Sequence, residues 1–190
     1  MAVTDTSDFT QAHKIVYGVK NVNDGGTGYI DFTEVIPQDY QFCEIHFKNI
    51  NLSTSGDVYL RWMSGTDTIE STTDYYYTGI RSDSSSGHAV VRTGAITPGE
   101  DYMDLWTEAG TTANAGGVLT IMNAPKNDLH TQSKFWGHHT DNAGVVTSLT
   151  SNSHKREVAV TGFRLYTSDT SSITISNADV FVIRLAGKDF

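Results

Sequence analysis

The chain has 190 residues, a formal charge of −9 and a pI near 5.0. That length supports one sizeable core and is short for two. The acidic balance argues against nucleic acid, which needs Lys and Arg on its phosphates, and against an anionic membrane surface.

Hydrophobic residues are scarce at 38%, yet aromatics at 11% are spread throughout, which excludes disorder and fits a two-sheet fold with many polar turns. The single cysteine, Cys43, lies in an apolar run. It leaves no partner for an internal disulfide, is expected to be a small buried residue, and fits assembly in a reducing cytoplasm. Residues 1–13 are polar and lack the apolar stretch of a signal peptide, and no run approaches membrane-spanning length. The reading is a polar arm over residues 1–13 and one folded domain over 14–190.

In chain order, residues 14–19 read as a first strand and 21–28 as a turn-rich loop. Residues 29–36 alternate imperfectly, with Ile30, Phe32 and Glu34 on one face and Tyr29, Asp31 and Val35 on the other, and Pro37 ends the run. Residues 40–49 alternate cleanly: Cys43, Ile45 and Phe47 inward, Glu44, His46 and Lys48 outward. Residues 58–63 place Val58, Leu60 and Trp62 inward and Tyr59 and Arg61 outward, with a hairpin expected at 53–57. Residues 74–81 and 88–93 predict a hairpin around the polar tip 82–87, and 102–106 a short strand after Pro98-Gly99.

Residues 117–122 read as a buried strand, while 134–137 and 145–148 flank a loop at 138–144. Residues 157–167 form one long strand, or two with a kink at Gly162. There Phe163, Leu165 and Thr167 oppose Arg164 and Tyr166. Ile173 and Ile175 mark a short strand, and residues 179–185, apolar on both faces, a central one. Roughly ten to twelve strands without crossover helices define an all-β, single-domain antiparallel β-sandwich of jelly-roll-like form.

Candidate chemical groups are sparse. His130, His138, His139 and Asp141 are the densest set of metal donors. Adjacent His138 and His139 would point to opposite faces of a strand, so polar loop histidines are the expectation, though a trimer axis could gather one from each subunit. Asn23-Asp24-Gly25-Gly26 and Asp141-Asn142-Ala143-Gly144 offer oxygens to calcium, but neither matches an EF-hand and turn chemistry accounts for both.

There is no G-x-S-x-G elbow, and His88 and His130 lie near Ser and Asp only as such a composition predicts. Glu100, Asp101, Asp104 and Glu108 around Trp106 read as a solvated acidic loop rather than a glycosidase pair. No catalytic, cofactor or metal residue is assigned, and no enzyme activity is expected. Tyr75-Tyr76-Tyr77, Trp106 and Trp136 are read as core and interface in preference to a sugar platform.

Five segments carry a family likeness. They are residues 36–45 (Ile-Pro-Gln-Asp-Tyr-Gln-Phe-Cys-Glu-Ile), Asp57-Val58-Tyr59-Leu60-Arg61-Trp62, Val160-Thr161-Gly162-Phe163-Arg164-Leu165-Tyr166, Ser171-Ser172-Ile173-Thr174-Ile175, and the closing Val180-Phe181-Val182-Ile183-Arg184-Leu185. From Tyr29 onward the chain resembles jelly-roll-like β-sandwich virion structural proteins of tailed bacteriophages. It departs at the late Gly-x-Trp turn, here Phe135-Trp136-Gly137, and at the ending Ile183-Arg184-Leu185-Ala186-Gly187.

The resemblance implies a capsid decoration (cement) protein, a homotrimer that docks on the major capsid protein and stabilises the head shell. The virion would be assembled in the host cytoplasm, with no nucleic-acid or membrane partner. Residues 1–13 would tether it by strand addition. The alternative is a tail or fibre component binding a host receptor or glycan.

Overall fold

The computed structural model describes residues 13–39, 42–65, 68–83, 89–93, 99–109, 111, 115–124, 129–141 and 144–185. Its thirteen strands are β1 (His13–Val22), β2 (Tyr29–Phe32), β3 (Phe42–Leu52), β4 (Gly56–Ser64), β5 (Thr68–Ile69), β6 (Tyr75–Asp83), β7 (Ala89–Thr93), β8 (Met103–Ala109), β9 (Ala115–Met122), β10 (Thr131–Asp141), β11 (Gly144–His154), β12 (Val160–Thr167) and β13 (Ile175–Leu185). The expected arm lies outside the described residues except for His13, which opens β1 opposite Leu185.

An eight-stranded sheet runs β1-β13-β3-β9-β10-β11-β6-β7 and a five-stranded sheet runs β2-β12-β4-β5, with β8 also paired to β4. The strand pairs are antiparallel, and one hydrophobic core lies between the sheets, so the chain is an all-β antiparallel sandwich.

Period-2 patterning builds these strands as expected. Cys43, Ile45 and Phe47 are buried from β3, and Val58, Leu60 and Trp62 from β4. The hairpin expected from residues 74–81 and 88–93 forms, with Gly79 opposite Arg92; β6 runs on into the expected tip, where Ser82 pairs with Ala89.

Four details differ from the sequence reading. The connection at 53–55 is no hairpin: β3 and β4 lie in different sheets, because Leu52 and Val58 reach the core from opposite sides. The chain over 29–36 stops being strand after Phe32. Glu34 takes a left-handed φ of 54°, which lets both Val35 and Ile36 turn inward. The loop expected at 138–144 is mostly strand, because β10 and β11 stay in register out to Asp141 opposite Gly144. Ile173 belongs to a turn, its N–H donating to the Asp169 carbonyl at 2.8 Å, while Ile175 begins one long β13 that includes residues 179–185.

The centre of the core is a set of interlocked rings. Phe47 meets Trp106 edge-on at 5.5 Å, Phe163 at 6.0 Å and Phe135 at 6.5 Å. Trp106 meets Phe135 at 5.1 Å and 89°, and Phe163 stacks on Phe32 at 4.7 Å. Such edge-to-face pairs add about 0.5–1.5 kcal/mol each beyond their burial. Phe135 fits because Gly117 and Gly137 face each other across β9 and β10. A methyl on Gly117 would come within 2.7 Å of the Phe135 ring, and one on Gly137 would overlap that ring and reach 3.0 Å from the Trp106 indole nitrogen.

One end of the sandwich is tied by polar contacts. Buried Asp24 accepts the N–H of Gly26 at 2.8 Å and of Ile175 at 2.5 Å. Its own N–H donates to the Ile175 carbonyl at 3.1 Å. Ser53 and Thr174 exchange two bonds, and Thr167 donates its N–H to the Gly28 carbonyl at 3.0 Å. These bonds bring the loops around residues 23–28, 53–55 and 168–174 together.

Replacing Gly137 by Ala is expected to destabilise the fold by about 1–3 kcal/mol, the usual cost of overpacking. Urea denaturation would read this as a lower midpoint at unchanged slope, and an unchanged midpoint would show that the Phe135 seat is slack.

Candidate functional site

The predicted metal donors do not converge. His138 is exposed on the outer face of β10, His139 is buried on the inner face, and His130 is exposed ahead of the strand. The Asp141 side chain lies outside the described set. No group of three or more His, Cys, Asp or Glu among the described residues is placed to hold a metal. In the loop that starts at Asn23, the Asp24 carboxylate is occupied by backbone N–H groups and Asn23 Oδ1 accepts from Gly25 N at 3.0 Å, so both serve the turn. Of the second such loop, Asn142 and Ala143 lie outside the described residues.

The acidic set does not surround Trp106: Glu100, Asp101 and Asp104 lie near Tyr102. Trp106 is in the core, Glu100 bridges Tyr75 through the backbone, and Asp101 pairs with Arg61. The Glu108 side chain and all of His88 lie outside the described residues. The tyrosine run separates too: Tyr75 is buried, while Tyr76 lies under the Lys155 ammonium at 3.7 Å. Cys43 is buried, which together with the Glu44 charge pushes its thiol up to about 12.

Surfaces rather than a catalytic cleft stand out. One line of register partners crosses all eight strands of the larger sheet: Gly18, Phe181, His46, Val118, Trp136, Leu149, Ile80 and Val91. Trp136 is 63% exposed, Ile80 49% and Leu149 39%. Such exposure is unusual for contiguous large apolar side chains on a monomer. A groove of about 420 Å³ lies beside Trp136, bounded by His46, Lys48, Asn49, Val118 and His138 and floored by Gly116 and Gly117. Lys20 and Lys48 both approach the Phe181 ring, at 6.0 and 5.8 Å. The His46 ring nitrogen lies 2.8 Å from Glu44.

The smaller sheet presents a different outer face. Two register lines run side by side across β2, β12 and β4: Tyr29–Tyr166–Tyr59 and Asp31–Arg164–Arg61. Arg164 donates through Nε and Nη2 to both Asp31 oxygens at 2.6 Å and covers Tyr29 at 3.9 Å. Those hydrogen bonds raise the pKa of the guanidinium. Arg61 donates through Nε to the Asp101 carbonyl at 2.8 Å and through Nη2 to its carboxylate, and covers Tyr166 at 4.8 Å. Tyr102 stacks on Tyr59 at 4.1 Å. Burial, ahead of neighbouring charges, raises the Tyr59 and Tyr166 hydroxyl pKa values. A cavity of about 350 Å³ opens between Tyr29, Arg61, Arg164 and Tyr166 and is rimmed by Thr167, Ser168 and Thr170.

Sequence reasoning missed this ladder as a unit. Its signal was present: Tyr59, Arg61, Arg164 and Tyr166 all occupy outward positions, where Ser or Thr would serve a merely solvated face.

Compared with known protein families, curated proteins and solved structures, the chain matches none.

A buried polar seam adds one titration. His154 is 1% exposed and packs on Tyr75 at 4.6 Å. Tyr75 in turn accepts Trp62 N–H at 2.7 Å and donates to the Glu70 carbonyl at 2.8 Å. Burial pushes His154 from 6.5 down to about 4, against the pull of Glu70 and Asp74. The unfolded chain therefore takes up this proton first, so the stability tied to neutral His154 is whole above pH 6.5 and drains as pH falls toward about 4. The loss is on the order of 3 kcal/mol across that window. Urea midpoints measured between pH 7 and 4.5 are expected to fall more steeply for the wild type than for His154→Gln, and parallel slopes would exclude this origin.

Proposed function

We propose that the chain is a non-enzymatic structural protein of a tailed-phage particle, a capsid decoration protein that acts as a homotrimer on the head shell. The observation that carries this is the exposed Ile80–Leu149–Trp136 line on the outer face of the larger sheet. Large apolar and aromatic side chains in one line suit the dry centre of a protein interface. Strand pairing holds them on a rigid surface, so little entropy is lost when a partner covers them. Lys20, Lys48 and Lys134 beside the line suit a rim against acidic groups of a partner.

The phage assignment draws on the strand segments at residues 36–45, 57–62 and 160–185 and their likeness to virion β-sandwiches. In this reading the work is mechanical. Subunits join through the apolar line, dock on the major capsid protein, and share the outward load of packaged DNA over many contacts. The fold needs no disulfide for that role, since its one cysteine is buried and free.

Leu149→Asp is expected to convert a sedimenting trimer into monomer while the circular dichroism spectrum stays the same. Binding of the variant to assembled empty shells is expected to fall about tenfold or more, as for a charge placed in an interface centre. A monomeric wild type whose shell binding survives Leu149→Asp would remove the proposal.

A further inference from the structure

We propose that the cavity on the smaller sheet, between Tyr29, Arg61, Arg164 and Tyr166, is a binding site for one neutral sugar ring. It lies on the opposite face of the sandwich from the apolar line, so it is independent of the assembly reading and stays open when the larger sheet is covered.

The donor inventory narrows the ligand. Each guanidinium spends Nε and Nη2 on its aspartate, leaving Nη1 without a hydrogen-bond partner among the described residues. Tyr166 is 9% exposed, and its hydroxyl is buried without a hydrogen-bond partner in that same set. An orphaned buried hydroxyl costs free energy, which a ligand oxygen recovers once Tyr166 shifts to open its hydroxyl to the cavity that the residue lines. Guanidinium groups cannot accept, so the ligand must bring acceptor oxygens.

Charge then separates an anion from a polyol. Asp31 and Asp101 neutralise the two guanidiniums directly. Asp57 and Asp104 lie close enough to Tyr59 to raise the pKa of its hydroxyl further. This face therefore carries more carboxylates than guanidiniums, and a carboxylate or phosphate ligand would meet net repulsion. A neutral ring with several hydroxyls meets none.

Size and rigidity agree. A volume of about 350 Å³ is at the small end of ligand pockets, which run roughly 300–1,000 Å³, and suits a single ring. Two-point pairing with aspartate and stacking on tyrosine hold both arginines before a ligand arrives. The tied loop around residues 168–174 fixes the rim through Ser168, whose N–H donates to the Asp57 carbonyl at 3.0 Å.

A printed array of neutral and acidic oligosaccharides, probed with the labelled full chain, tests the site. Wild type is expected to hold neutral glycans. Arg164→Lys is expected to lose about tenfold in signal, because an ammonium cannot keep both the Asp31 fork and a ligand bond. Tyr166→Phe removes only the orphaned hydroxyl and is expected to weaken binding several-fold without lowering the urea midpoint. It decides the matter if Arg164→Lys fails to fold. Retention of acidic glycans only, retention of none, or neutral binding unchanged in Tyr166→Phe would each overturn the proposal.

Discussion

Phe47 sits where five aromatic rings interlock between the sheets, and the placement of most other side chains follows from that contact. Its partners come from four other strands: Trp106 from β8, Phe135 from β10, Phe163 from β12 and, through Phe163, Phe32 from β2. Because strand side chains alternate, each inward ring dictates its outward neighbours. With Phe135 in the core, Trp136 must face outward; with Phe163 and Phe32 inside, so must Arg164 and Asp31. A one-residue slip in any of these strands would bury a charge or an indole on the wrong side. Both outer surfaces are consequences of how the rings pack.

Buried carboxylates fasten the places where strands bend. Asp179 accepts from Asn21 N–H at 2.8 Å and from the Asn49 side chain at 2.6 Å, and both asparagines adopt left-handed φ angles. That contact joins irregularities in β1, β3 and β13. Asp24 plays the same part at the loop end, and Glu70 accepts from Ser64 and Arg156 beneath Tyr75. Removing one partner would leave a desolvated charge, so these contacts penalise distortion more than they add net stability.

The two sheets divide the chemistry. The larger offers area, apolar side chains and a few lysines, which suits a broad partner. The smaller offers forked donors held by aspartates over tyrosine rings, which suits a small polar ligand. Strand alternation sends His138 to the outer face, where it borders the groove beside Trp136, and His139 to the inner face, so the two do not act together.

Alternation is a local property, and residues such as Cys43, Ile45, Phe47, Val58, Leu60 and Trp62 declared their inward faces in the sequence alone. So did the absence of helices among the described residues, the hairpin of β6 and β7, and the outward Tyr59, Arg61, Arg164 and Tyr166. Pairing between strands distant in the chain is decided by packing that no local window contains. Only the tertiary structure joined β12 to both β2 and β4, which turned four outward residues into one Tyr–Arg ladder. Only it sent β3 and β4 to different sheets and aligned Phe181, Val118, Trp136, Leu149 and Ile80 in a single line. Along the regular strands the sequence by itself determined which way a side chain faces. Which side chains become neighbours was settled by the ring cluster and its two facing glycines, whose close fit admits one register.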